Sequence, residues 1–171
     1  MKSRIAIGLC LIVLTAVAAL PLIAASTAKN NEKVASTLQS DEQAVKQAAD
    51  KFYTALNGMF QGDLDQMKAV WSHADDVSYM GPTGGIQLGW NDVLATWETQ
   101  AAKNLGGKVE PKNAHVTVSP DLAIFTCYEE GENIVNGKPQ KVSIRATNTF
   151  RKENGEWKMI GHHTDLLPFL N

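Results

Sequence analysis

Cysteine and arginine are scarce in this chain of 171 residues: Cys10 and Cys127, then Arg4, Arg145 and Arg151, are all there are. Cys10 sits in the N-terminal apolar run, so Cys127 alone is left for the folded part and an intramolecular disulfide is excluded. Glycine (13) and proline (6) are too few for a collagen-like or low-complexity chain. Charge of one sign is also missing. A net charge of −2, with 20% charged residues, offers no basic stripe for nucleic acid. Nor is there a glycine-rich nucleotide or flavin fingerprint, which makes a cofactor-free site the expectation. What is present is apolar: 44% of the residues are hydrophobic, too many for disorder, and the length suits one ordinary domain.

Residues 1–28 read as a secretory signal peptide. Lys2 and Arg4 open the chain, an apolar run follows from Ile5 to Ala25, and Ser26-Thr27-Ala28 supplies the small residues of a cleavage site. The run approaches the roughly 20 residues that span a bilayer, so an uncleaved anchor is the alternative. Pro21 and the small residues favour cleavage after Ala28, with export to the periplasm or beyond and no membrane contact afterwards. Cys10 follows Leu9 rather than a small residue, which argues against a lipid-bearing cysteine. Loss of Lys2 and Arg4 would leave a mature charge of −4. Cys127, inside the apolar run Ala123–Tyr128, reads as a buried structural thiol rather than a nucleophile.

Beyond the signal, residues 29–39 read as a polar tether and residues 40–171 as the domain. Ser40, with Gln43 three residues on, predicts a helix start. Val45, Ala48, Phe52, Ala55 or Leu56, and Met59 then recur at helical spacing, widened by Tyr53 and Phe60. Asp63 is placed to cap a second helix carrying Leu64, Met67, Val70 and Trp71. Residues 73–80 and 86–88 read as a short hairpin across the Gly81-Pro82 and Gly84-Gly85 turns. Asn91 is placed to cap a third helix bearing Val93, Leu94, Trp97 and Ala101. Residues 115–119, 121–130, 140–152 and 156–164 read as strands, joined at Asn136-Gly137 and Asn154-Gly155 by tight hairpin turns. Helices followed by a long antiparallel meander make an α+β fold.

This order, with two local motifs, resembles the nuclear transport factor 2-like (NTF2-like) superfamily, in particular its SnoaL-like and ketosteroid-isomerase-like (DUF4440-type) branch. One motif is Tyr79-Met80-Gly81-Pro82, Gly84-Gly85, then Gly89-Trp90 leading into a helix. The other is Arg145-Ala146-Thr147-Asn148-Thr149-Phe150, Asn154-Gly155, Trp157 and His162-His163, which is also similar to the closing hairpin of the association domain of a calmodulin-dependent kinase. The resemblance runs from about Ser40 to Leu166. It implies a cone (an α+β barrel), three N-terminal helices on a strongly curved antiparallel sheet, with a pocket at the open end. Such domains include isomerases, cyclases, dehydratases, ligand binders and oligomer hubs, so fold does not settle function. No motif assigns the base, tyrosine and protonated acid of ketosteroid isomerase to positions here.

The last hairpin carries the candidate site. Strand alternation puts Trp157, Met159, Gly161, His163 and Asp165 on one face and Lys158, Ile160, His162 and Thr164 on the other. A three-residue loop would set Arg145 opposite His163; a two-residue Asn154-Gly155 turn would set Ala146 there, and both registers are open. A cation beside an imidazole suits an anionic or carbonyl-bearing ligand. Arg145 and His163 are therefore the candidate catalytic pair, with Tyr53, Trp90 and Asn148 as candidate ligand-binding residues. The competing assignment pairs Arg145 with an acid such as Glu129. His73-Ala74-Asp75 and His163-Thr164-Asp165 do not match a zinc spacing, so no metal is expected. Asp75-Asp76 reads as a solvated strand entrance, and Glu129, Glu130 and Glu132 as a solvated strand end. Trp71, Trp97 and Trp157 read as core.

Three functions follow: an enzyme moving a proton next to a carbonyl (isomerase, dehydratase or cyclase), with His163 as base or acid and Arg145 holding the oxyanion; a periplasmic binder of a small hydrophobic or acidic molecule; or an assembly module. A homodimer is expected because, if Arg145, Thr147 and Thr149 line the pocket, the Val142, Ile144 and Phe150 side must be covered by a second copy.

Overall fold

The computed structural model describes residues 20–170. Residues 1–19, with the basic start, Cys10 and most of the apolar run on which the signal reading rests, lie outside them. No described helix is long and apolar enough to cross a membrane. The chain divides into a unit ending at Ser36 and a second beginning at Thr37.

Helix α1 covers Leu20–Met59, so the helix expected to begin at Ser40 already includes the polar segment 29–39. Within it Lys29, Glu32, Lys33, Ala35, Leu38 and Gln39 are good helix formers, and the segment continues a helix that runs on to Met59. Ser40 consequently lies inside α1, where its hydroxyl donates to the Thr37 carbonyl at 2.8 Å and caps nothing. From Val45 onward one face of the helix is core: Val45, Ala49, Phe52, Ala55 and Met59 are almost completely buried. Asp63 takes the backbone N–H of Asp65 at 3.0 Å, opening the short α2 (Asp65–Val70). Helix α3 (Trp90–Ala102) starts after Gly89, with no side-chain cap, so Asn91 sits in its first turn instead.

The strands are β1 (Ser78–Met80), β2 (Gln87–Leu88), β3 (Lys108–Val118), β4 (Leu122–Val135), β5 (Lys138–Glu153) and β6 (Glu156–Thr164). They form one six-stranded sheet in the order β2-β1-β6-β5-β4-β3. All pairings are antiparallel except β1 with β6, which makes the sheet mixed rather than purely antiparallel. Both Asn-Gly turns are two-residue loops, with Asn136 and Gly137 at φ 54° and 72° and Asn154 and Gly155 at 52° and 85°. Positive φ at both centres is the turn whose twist matches the strands it joins.

Strand β5 buries Val142, Ile144, Ala146, Asn148 and Phe150 toward the helices and leaves Arg145 and Thr147 in solvent. The apolar side is therefore the inner one. The helices of the same chain cover it, and no second copy is required there. Lys152, whose ammonium lies 5.0 Å above the Trp157 ring, pairs with buried Asp41 and ties α1 to the last hairpin.

Candidate functional site

The inner surface of the sheet, closed by α1 and α3, carries one polar cluster. In β4, Ala123, Phe125, Cys127 and Glu129 alternate inward, so strand parity carries a carboxyl into the core. Glu129 is 4% exposed, against the expectation of a solvated strand end; Glu130 and Glu132 do face solvent. Asn148 of β5 and Tyr53 of α1 meet it. The Tyr53 hydroxyl donates to Glu129 Oε1 at 3.1 Å and accepts from Asn148 Nδ2 at 3.0 Å. Cys127 Sγ lies 3.0 Å from the same hydroxyl oxygen. Tyrosine has one proton, and Glu129 takes it, so the thiol donates. Burial pushes the Cys127 thiol up to about 11, in keeping with a structural role.

The fifth member is His162, and a bulge puts it there. The Asn154-Gly155 turn pairs Glu153 with Glu156 and Phe150 with Met159, but Thr149 pairs with Gly161. Ile160 is thus an extra residue. The faces of β6 exchange at that point, so Trp157, Met159, His162 and Thr164 are buried while His163 is exposed. His163 stands opposite Thr147, which neither simple register anticipates. His162 Nδ1 lies 2.6 Å from Asn148 Oδ1, and with the amide nitrogen given to Tyr53 this ring nitrogen carries the proton. Nε2 keeps its lone pair 3.8 Å from Glu129 Oε1. The ring stacks on Tyr79 at 5.7 Å and 9° and touches Phe52 at 5.0 Å.

Of this cluster, Glu129 and His162 border a cavity of about 430 Å³, counting its open mouth, within which the centre of a water molecule can reach only about 30 Å³; Tyr53, Cys127 and Asn148 lie behind its wall. Met59, Phe60, Tyr79, Trp97, Val109 and Ile144 make its wall mainly apolar, and Glu129, His162, Gln100 and Asn133 supply the polar points. Burial dominates the electrostatics. It raises Glu129 to about 7 against the lowering effect of the Tyr53 hydrogen bond. It lowers His162 to about 3, helped by the neighbouring His163. Burial also keeps Tyr53 and Tyr79 protonated. Tyr79 accepts from Gln100 Nε2 at 3.5 Å, and its own proton has no acceptor among the described residues. The ring needs Gly81: a Cβ there would lie 2.0 Å from the Tyr79 hydroxyl.

Of the expected site residues, the structure brings Tyr53 and Asn148 together and leaves the others elsewhere. Arg145 is on the outer face, its side chain 75% exposed, and grips Asp165 through Nε at 2.9 Å and Nη2 at 3.0 Å. Its carboxylate partner is therefore Asp165 and not Glu129, and the pair Arg145–His163 does not line the buried cavity. His163 borders an open groove beside the 81–85 loop. Trp90 stacks on His73 at 4.2 Å, away from the cavity wall. Asp76 pairs with Arg151 at 2.6 Å, and Trp71, Trp97 and Trp157 are core. Among the described residues no three His, Cys, Asp or Glu side chains gather to hold a metal ion. Sequence reasoning misses Glu129 and His162. Parity from Cys127 would find the first; nothing in the sequence announces the bulge that selects the second.

Comparison with known proteins agrees with this architecture. The SnoaL-like domain profile matches residues 45–166. A candidate dehydratase of the NTF2-like family from Streptomyces avermitilis is 25% identical, with a TM-score of 0.67 over 77% of this chain and 99% of that one. A candidate calcium/calmodulin-dependent protein kinase type II association domain from Thiobacillus denitrificans is 30% identical, with a TM-score of 0.60 over 70% of this chain and 92% of that one. The F-box protein SKIP8 of Arabidopsis thaliana is 25% identical over 104 residues, 61% of this chain but 42% of that protein, so the chain spans under half of this curated relative. With helices packed on an open, mixed six-stranded sheet and the profile covering most of its length, the chain belongs to the SnoaL-like domain family of the NTF2-like superfamily.

Proposed function

We propose that the protein is a cofactor-free enzyme that moves a proton next to a carbonyl of a small, mainly apolar molecule, with Glu129 as the proton carrier. The observation behind this reading is a carboxyl bordering a mainly apolar cavity and bonded to the Tyr53 hydroxyl, which burial raises to about 7 against the opposing pull of that hydrogen bond. A base poised there is half ionised at the pH where it would work. In the forward step the Glu129 carboxylate takes a proton from the carbon beside the carbonyl, and the C–H electron pair moves into an enolate. The Tyr79 hydroxyl donates to the enolate oxygen, and Glu129 returns its proton at the same or a conjugated carbon. His162, neutral and fixed through Asn148, offers an acceptor to a substrate hydroxyl. The test is hydrogen–deuterium exchange into a panel of cyclic ketones, followed by mass spectrometry. Exchange should rise with pH around 7 and vanish in Glu129→Gln. Ketone binding with no catalysed exchange would favour a non-catalytic binder.

A second reading, self-assembly, is supported by the outer sheet face. Leu122, Ile124 and Tyr128 are each at least 40% exposed there, and one similar structure is described as an association domain. A homodimer through this face is the simplest arrangement. Light scattering that shows only monomer at micromolar concentration would exclude it. Export belongs to the same proposal, resting on the Lys2–Ala28 layout. Intact-mass analysis from the native envelope should find a chain starting at Lys29, and a full-length membrane-extracted species would overturn it.

A further inference from the structure

The cavity is too tight to admit a substrate as it stands. About 30 Å³ for the centre of a water is room for two or three waters, at the roughly 10–15 Å³ that each needs, and not for a carbon skeleton. Some part of the wall must therefore yield, and the bonding pattern separates the wall into fixed and movable parts. Most lining residues sit on α1, α3 or the strands. Four lie outside them: Phe60, which directly follows α1 and bonds back to it through its N–H to the Leu56 carbonyl at 3.2 Å, and the loop residues Pro82, Leu105 and Leu167. The Leu105 loop is stitched to regular elements on both sides, through Ile134 N–H to the Leu105 carbonyl at 2.9 Å and Gly106 N–H to the Phe60 carbonyl at 2.8 Å. Leu167 and Pro82 bond to each other, Leu167 N–H to the Pro82 carbonyl at 2.9 Å, and the Pro82 loop otherwise closes on itself through Gly84 N–H to the Gly81 carbonyl. Beside them runs the open groove bordered by Gly84, Gly85 and Leu166.

We propose that residues 166–170 form a strap that gates the cavity, with Leu167 as the residue that sets the size of ligand admitted, and with the Arg145–Asp165 pair as the fixed end on which the strap turns. The proposal rests on reading the cavity as a ligand site. Strand β6 ends at Thr164, and the next residue is held by both its backbone and its side chain. Asp165 N–H donates to the Arg145 carbonyl at 3.2 Å, while its carboxylate takes Arg145 N–H, Nε and Nη2. Past this anchor, Leu166 is exposed and touches the glycine loop, Leu167 plugs the cavity, and the short turn Pro168–Leu170 follows. One backbone hydrogen bond, Leu167 N–H to the Pro82 carbonyl, and the packing of half-buried Phe169 against the core latch the plug. Opening it uncovers the cavity without disturbing a strand, which is how a low-stability segment serves as a lid. An arginine in mid-strand on an outer face thereby gains a purpose: it is a positioning residue for the strap.

Amide exchange on the full chain, read by nuclear magnetic resonance, tests this without any ligand. The Leu167 amide should exchange at least about a hundredfold faster than those of Ile134 and Asn148, as local opening requires. Arg145→Met should speed Leu167 exchange by about threefold to tenfold and leave β4 unchanged. A Leu167 amide as slow as the strand amides, or an Arg145→Met effect spread evenly over the sheet, would overturn the gate. The size claim is read with 1-naphthol as probe, by stopped-flow tryptophan fluorescence. Leu167→Ala should bind it faster and Leu167→Trp slower, each by tenfold or more, and equal rates in both would overturn it. Neither readout uses Glu129 chemistry, so loss of ketone exchange with these results intact would reject the enzyme reading alone.

Discussion

His162 Nδ1 lies 2.6 Å from Asn148 Oδ1, while the nitrogen of the same amide reaches the Tyr53 hydroxyl at 3.0 Å. One buried amide thus orients both the imidazole and the phenol that flank Glu129. Donor and acceptor roles are settled from one end to the other, and each hydrogen bond depends on its neighbour.

Replacing Asn148 by leucine should therefore leave His162 Nδ1–H without an acceptor and take one donor from the Tyr53 hydroxyl, which keeps Glu129 and Cys127. The expected cost is about 1–3 kcal/mol, measured by urea denaturation, the scale of one buried group left unpaired. A double-mutant cycle with His162→Leu should return less than the sum of the two single effects.

Glu129 makes stability depend on pH in a defined direction. Its carboxyl is raised from 4.5 to about 7, so the folded state holds a proton that the unfolded chain has already lost. Its contribution is fully present below 4.5 and declines as pH rises to about 7. Glu129→Gln should then be stabilising at pH 8 relative to the parent protein, by up to about 3 kcal/mol, and close to neutral at pH 4. Denaturation curves at the two pH values check this. His162 runs the opposite way: lowered from 6.5 to about 3, it supports the fold above 6.5 and withdraws that support as pH falls.

Gly81→Ala should displace Tyr79 and cost at least about 2 kcal/mol, the scale of an overpacked core. A new Cβ would meet not only the hydroxyl at 2.0 Å but ring atoms at 2.2 and 2.7 Å. Tyr79→Phe should therefore fail to rescue it. Thermal unfolding of the single and double variants distinguishes the outcomes.

Ile124→Glu places a charge in the middle of the exposed outer-face patch, on the opposite side of the sheet from Glu129. Under the self-assembly proposal it should convert the dimer proposed there to monomer in light scattering and leave ketone exchange intact. An unchanged mass would show that this face is not the contact.

The elements are legible in the sequence because local chemistry and tertiary demand agree. Both Asn-Gly turns and the helical stripe from Val45 to Met59 follow from patterns within a few residues, while Asp63, expected as the cap of α2, stands one residue before its N-cap Leu64. The site is legible only in part. Tyr53 and Asn148 lie on inward positions of elements that the sequence predicts, but judging the inner side of β5 by its charge rather than by its apolar neighbours turns that strand over. Arg145 draws attention by its rarity, yet an arginine held by Asp165 in solvent needs no pocket. Glu129 is masked by Glu130 and Glu132, whose company suggests water. Parity along β4 says otherwise, and parity is the stronger constraint there, because β4 pairs with β5 without a bulge and cannot turn one residue alone.

The bulge at Ile160 makes the last strand unequally tolerant of changes in length. Ile160 has no counterpart on β5, so the pairs from Glu156 to Met159 and from Gly161 to Thr164 are already in the register of a strand one residue shorter. Losing Ile160 would therefore straighten β6 while His162 stayed inward and opposite Asn148. An added residue finds no such slack. It must either widen the bulge or carry His162 to the outer face, parting the imidazole from the amide that holds it. Variation in the length of β6 is thus permitted toward the shorter strand and opposed toward the longer one.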